Sequence, residues 1–86
     1  MNFRYHKNFK KQFLKLPKTK QTLCKQRIAL FATNQDHPLL NRHSLKGAYK
    51  NYSSLSAGGD LRIIYYQVSS EEVELVAVGS HSQLYK

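Results

Sequence analysis

Leu61-Arg62-Ile63-Ile64-Tyr65-Tyr66-Gln67-Val68 is the stretch that decides the fold. β-Branched and aromatic side chains crowd it, as suits a strand in the middle of a sheet. Alternation puts Leu61, Ile63 and Tyr65 on one face and Arg62, Ile64 and Tyr66 on the other. Upstream, Ala57-Gly58-Gly59-Asp60 reads as a turn whose glycines are free to take positive φ. Downstream, Ser69-Ser70-Glu71-Glu72 turns the chain into a second apolar run, Val73 to Val78. Tyr49 to Leu55 supplies a strand before the glycine turn, broken in character by Ser53-Ser54. Three strands joined by short turns make an antiparallel meander.

Further upstream the period changes from two to helical. Phe9, Phe13 and Leu16 recur at i, i+4 and i+7 with lysines on the opposite side, which predicts a first helix. Pro17 closes it, because its ring disfavours helix at the preceding residue. A second helix is expected from Lys18 to Thr33, with an inner stripe of Cys24, Ile28 and Phe31 widened by Leu23 and Leu30. Asn34 to Arg42 reads as a loop punctuated by His37-Pro38, and Phe3 and Tyr5 alternate with polar residues as a short first strand. The expected architecture is α+β: two N-terminal helices packed on one face of a small antiparallel sheet, in the order β-α-α-β-β-β. Eighty-six residues form one domain, 1–86, since two cores cannot be built from so short a chain.

Charge narrows the function. Fourteen Lys and Arg oppose five Asp and Glu, for a net charge of +9, and no acid precedes Asp36. Such an excess works against a small fold through self-repulsion, which a polyanionic partner relieves. The partner classes are nucleic acid, an anionic membrane or an acidic protein. No apolar run approaches the ~20 residues that cross a bilayer, and the apolar faces of the helices are needed by the sheet, so no membrane role is expected. Met1 to Lys7 lacks the apolar segment of a secretion signal. A lone cysteine suits a reducing cytoplasm.

Three polar clusters beside the strands carry candidate chemistry. The first is His43-Ser44-Leu45-Lys46-Gly47, with Arg42 and Lys50 close by. The second is Asp60-Leu61-Arg62, and the third Gly79-Ser80-His81-Ser82-Gln83-Leu84-Tyr85. Adjacent strands would gather two imidazoles, a carboxylate, a guanidinium and a phenol, a set suited to proton transfer and charge stabilisation at a phosphodiester. Asp60 is also a natural turn former, and Tyr85 equally an aromatic anchor for the chain end. No His or Cys pair has metal-ligand spacing, and Cys24 belongs to the core stripe, so neither metal nor cofactor is expected.

The words His43-x-Leu45-x-Gly47-x-x-Lys50-x-Tyr52, Asp60-Leu61-Arg62-Ile63-Ile64-Tyr65 and Gly79-Ser80-His81-Ser82-Gln83-Leu84-Tyr85 resemble the RelE/ParE superfamily of bacterial toxins, and most of all its YafQ-like branch. The resemblance implies a type II toxin–antitoxin toxin: an endoribonuclease that cleaves mRNA in the ribosomal A site. It implies 70S ribosome and mRNA as targets and an acidic, partly disordered antitoxin as partner. Carried over, His43, Asp60 and His81 fall on acid/base positions, Arg62 on the phosphate position, and Tyr85 where the branch has a phenylalanine. Ser56 stands where the branch has a further histidine, and Leu61 where it has a tryptophan. The expected reaction is metal-independent attack of the RNA 2′-OH on its adjacent phosphate. His81 would act as acid, with His43 or Asp60 as base. Arg62 would hold the phosphate, helped by Arg42, Lys46 and Lys50, while Lys10, Lys11 and the basic helices face ribosomal RNA. The alternatives on the same fold are a ParE-like gyrase inhibitor and a non-catalytic RNA-binding module.

Overall fold

The structure, a computed structural model, describes residues 1–85. Strand β1 (Asn2–Tyr5) leads into helices α1 (Lys7–Leu14) and α2 (Lys18–Thr33). Then come β2 (His43–Ser44), β3 (Tyr52–Ser56), β4 (Leu61–Ser69), β5 (Glu72–Ser80) and a short α3 (His81–Leu84). The sheet order is β1-β5-β4-β3-β2, so β4 is central, as its composition requires. All neighbours are antiparallel except β1, which runs parallel to β5. The expected antiparallel sheet is therefore mixed, because α1 and α2 carry the chain back before the meander begins, and β1 takes the free edge of β5.

Three details differ from the sequence reading. The strand expected over Tyr49 to Leu55 begins only at Tyr52. Before it, Gly47–Tyr49 form a 3₁₀ turn closed by the Lys50 N–H on the Gly47 carbonyl (3.1 Å), and Gly47 (φ 68°) and Asn51 (φ 76°) both sit in left-handed conformations that interrupt an extended chain. The loop after α2 contains a second 3₁₀ turn, Pro38–Leu40, and its chain then pairs as β2 with β3. The strand expected to end at Val78 runs to Ser80, and α3 follows without a linker.

The sheet buries both faces. On one face Phe9 of α1 and Cys24 and Phe31 of α2 pack with Leu55, Leu61, Ile63, Tyr65, Val73, Leu75 and Val78. The opposite face is covered by α3 and the β2–β3 connection, with Ile64, Ala77 and Leu84 buried among Leu45, Tyr49, Tyr52 and Tyr85. A bulge makes this second core possible. Ile64 pairs with Ala77 but Tyr65 with Leu75, so Val76 is an extra residue in β5. The insertion reverses the alternation of the strand beyond it: Val73 and Leu75 face the helices, Ala77 faces away, and Val78 faces the helices again. Side chains lock the layers together. Gln12 Oε1 of α1 accepts from the Val78 N–H of β5 (2.8 Å), and Arg27 of α2 donates to the carbonyls of Leu39 and Ser56. Cys24 is fully buried, and desolvation pushes its thiol up to about 11. Among the described residues no helix is long and apolar enough to cross a membrane.

Candidate functional site: a cationic cleft on the sheet face opposite the long helices

The face away from α1 and α2 carries a cleft of about 410 Å³. Its floor and walls draw on three strands, α3 and their flanks. His43 comes from β2, Ser54 from β3, Arg62 from β4, and His81 and Tyr85 from α3 and the residue after it, while Asn41, Leu45, Lys46 and Tyr49 complete the rim. Register explains the gathering. His43 pairs with Ser54, which pairs with Ile64, which pairs with Ala77, forming one row across the sheet. Two residues along, Gly79, Arg62 and Ser56 form the next row. Arg62 and Ser54 thus lie between the element that carries His43 and the one that carries His81. Three strand spacings of about 4.8 Å separate β2 from β5, roughly 14 Å between backbones, so the two imidazoles approach from opposite sides.

Local structure fixes each group. His43 Nδ1 lies 3.0 Å from the Asn41 carbonyl oxygen. A carbonyl oxygen only accepts, so Nδ1 carries the proton and the neutral ring keeps a lone pair on Nε2. One Arg62 terminal nitrogen donates to the carbonyls of Gly59 (2.9 Å) and Leu61 (3.1 Å), which tethers the guanidinium over the sheet and leaves its other N–H groups for a ligand. His81 opens α3, whose start is a capping box: the Ser80 hydroxyl accepts from the Gln83 N–H and Gln83 Oε1 accepts from the Ser80 N–H. A Cβ at Gly79 would stand 2.9 Å from that Gln83 oxygen, so glycine is what lets α3 fold down on the strand. Tyr85 packs on the His81 ring with centroids 4.6 Å apart and meets Tyr49 edge-on at 5.7 Å. The Tyr49 hydroxyl donates to the Leu84 carbonyl (2.8 Å), pinning the helix that carries His81.

Not every residue singled out in the sequence reaches this cleft. His43, Lys46, Arg62, His81 and Tyr85 line it, and Asp60 and Lys50 do not. Asp60 is exposed in the turn before β4, and Lys50 is exposed after the 3₁₀ turn. Arg42 points to a separate depression with His37 and Pro38, where it is paired with Asp36 at 2.6 Å. Its pKa is raised, by Tyr65 first; burial opposes the rise and Asp36 adds to it. Lys10 and Lys11 lie on α1, and Lys10 borders a different groove on the helix side. Sequence reasoning overlooked Asn41, Tyr49 and Ser54. For α3 a signal existed, since Ser80-x-x-Gln83 is a capping-box pattern. For Ser54 the signal was the hydroxyl pair that breaks an otherwise apolar strand.

The cleft is electrostatically one-sided. Among the described residues its lining holds two histidines, a lysine and an arginine, and no carboxylate side chain. It suits an anion with flanking apolar or aromatic groups, and two imidazoles beside one anion can supply a base and an acid. Among the described residues no three His, Cys, Asp or Glu side chains converge to hold a metal ion.

The mixed sheet with two helices on one face is a fold shared with solved bacterial toxins. The chain belongs to the YafQ family, bacterial toxins of type II toxin–antitoxin systems, which it matches over residues 1–86. Solved structures agree in fold. Escherichia coli YafQ from strain BL21(DE3) is 19% identical, with a TM-score of 0.81 over 99% of this chain and 98% of that one. YafQ in the E. coli DinJ–YafQ toxin–antitoxin complex is 20% identical, with a TM-score of 0.78 over 99% and 97%. The metal-bound toxin from Helicobacter pylori is 25% identical, with a TM-score of 0.76 over 99% of both chains. No curated protein sequence matches the chain.

Proposed function

We propose that this toxin is a ribosome-dependent endoribonuclease that cleaves mRNA in the A site. The observation that carries the reading is the cationic cleft, lined by His43 and His81 with Arg62 on the strand between them. In this mechanism His43 Nε2 takes the proton of the RNA 2′-OH. The freed oxygen forms a bond to the adjacent phosphorus, and the bond from phosphorus to the 5′-oxygen breaks. His81 gives its proton to that leaving oxygen, yielding a 2′,3′-cyclic phosphate and a 5′-hydroxyl. Arg62 and Lys46 stabilise the charge that builds on the phosphate, and Tyr85 holds His81 and offers a stacking face to a base. Because Asp60 stands outside the cleft wall, the base role goes to His43. The protons and charge are handled by side chains, so no metal ion takes part. The test is cleavage of a defined mRNA in a purified translation system, with and without ribosomes. Cuts that need ribosomes, and that fall by at least ~10²-fold in His81→Ala and Arg62→Ala, are expected. Intact mRNA with the wild-type protein overturns the reading and moves attention to DNA gyrase.

An acidic antitoxin is the second part of the proposal, and a groove supports its place. Between β1, α1 and α2 lies an apolar groove of about 590 Å³, walled by Phe3, Phe9, Phe13, Leu14 and Ile28 and edged by Lys10 and Lys25. Leu14 is 73% exposed there. A contiguous apolar surface edged by lysines, on a segment without a single acid before Asp36, fits an amphipathic helix with an acidic rim. Docking there would also cover Lys10, one of the residues proposed to face ribosomal RNA, and so would hinder the toxin without entering the cleft.

A further inference from the structure

Ser54 is fully buried, and its Oγ has no hydrogen-bond partner among the described residues. It is also a wall residue of the cleft. Packing does not account for a hydroxyl at this point. Ser54 is flanked across the sheet by Ile64, itself fully buried, and a strand position of that kind is ordinarily aliphatic. The neighbouring serines are different: Ser56 accepts from the Gly58 N–H and Ser80 caps α3. An unpaired buried hydroxyl destabilises the folded state, so something outside the protein has to complete it.

Its position says what that is. Ser54 is the direct register partner of His43, and Arg62 lies diagonally across from it, one place beyond Ile64 on the same face of β4. A phosphate held by Arg62 within reach of His43 therefore sits over Ser54. We propose that the Ser54 hydroxyl is the floor donor of the cleft, giving its hydrogen bond to a non-bridging oxygen of the scissile phosphodiester. This inference rests on the nuclease reading and names a further residue that touches the substrate. A neutral donor orients the phosphate without adding to the local positive charge, which leaves His43 free to accept a proton beside Arg62.

The test separates function from folding because the two effects have opposite signs. Ser54→Ala removes an unsatisfied polar atom, so its melting temperature should equal or exceed that of the wild type. Its ribosome-dependent cleavage should fall by at least ~10-fold, with most of the loss in kcat, as for a donor whose bond strengthens in the transition state. Ser54→Cys, with a weaker donor of similar shape, should fall between the two. Binding of a nucleoside 3′-monophosphate, followed by NMR shifts at His43 and Arg62, supplies a readout that needs no ribosome and should weaken in Ser54→Ala. If the wild type and Ser54→Ala cleave equally, the inference is overturned while the nuclease reading stands. If activity is lost only in step with a lower melting temperature, Ser54 is structural and the inference again falls. If the wild type does not cleave, the nuclease reading falls, and unweakened nucleotide binding in Ser54→Ala overturns the Ser54 site as well.

Discussion

At the scale of single residues, environment separates groups that look alike on paper. Cys24 is the only thiol, and burial raises it from 9.0 to about 11. The native state therefore keeps a proton that the unfolded chain loses from about pH 9 upward, so stability falls as pH rises from about 9 to 11. Chemical denaturation across that range should show a steeper alkaline loss in the wild type than in Cys24→Ala, and below pH 9 the difference between them should be constant. Thiol reagents at neutral pH should leave the folded protein unmodified. Among the site candidates, residue type alone pointed to His43, Arg62, His81 and Tyr85, and all four line one cleft. It also pointed to Asp60, Lys50 and Arg42, whose side chains are placed elsewhere by a turn, a 3₁₀ turn and an ion pair with Asp36. The Ser53-Ser54 pair marked a break in the strand, but that Ser54 is buried and unpaired is a property of the packed sheet and not of serine.

At the scale of elements, what could be read was whatever had a period. Helix α2 spans Lys18–Thr33 as its apolar stripe and Pro17 predict, and β4 occupies the centre that its β-branched run requires. What had no period stayed hidden. A two-residue β2 has no alternation to detect, the parallel seat of β1 depends on a strand some seventy positions away, and the bulge at Val76 exists only as a mismatch between two strands. Helix α3 is the element on which the site depends most, since it is a single turn and carries His81. Its stability comes from the capping box and from the close seat on Gly79. Gln83→Ala should remove about 1 kcal/mol of local stability. Gly79→Ala should displace the same carboxamide by crowding it at 2.9 Å. Hydrogen exchange should then quicken in residues 81–85 of both variants while β4 and β5 keep their protection, and cleavage should fall although His81 itself is intact.

For the molecule as a whole, two opposed surfaces divide the labour. In the proposed function the cleft takes the anion, and the helix side offers its basic, apolar groove to an acidic partner. Leu14→Glu tests the division. The position is exposed, so the fold should persist by circular dichroism. A new negative charge in the groove should weaken co-purification with the proposed acidic antitoxin by at least ~10-fold, as expected when a like charge is placed in an interface. Undiminished co-purification would move the antitoxin to another face.

The parallel pairing of β1 with β5 sets an order of events during synthesis. Asn2–Tyr5 leaves the ribosome early and has no partner until Glu72–Ser80 follows, and His81 and Tyr85 come later still. Throughout that interval the nascent chain has neither a completed sheet nor the second imidazole of the cleft. A protein proposed to cut the message of a working ribosome would thus lack a complete cleft while it is being made, because the parts of that cleft meet only when its own message has been read through residue 85.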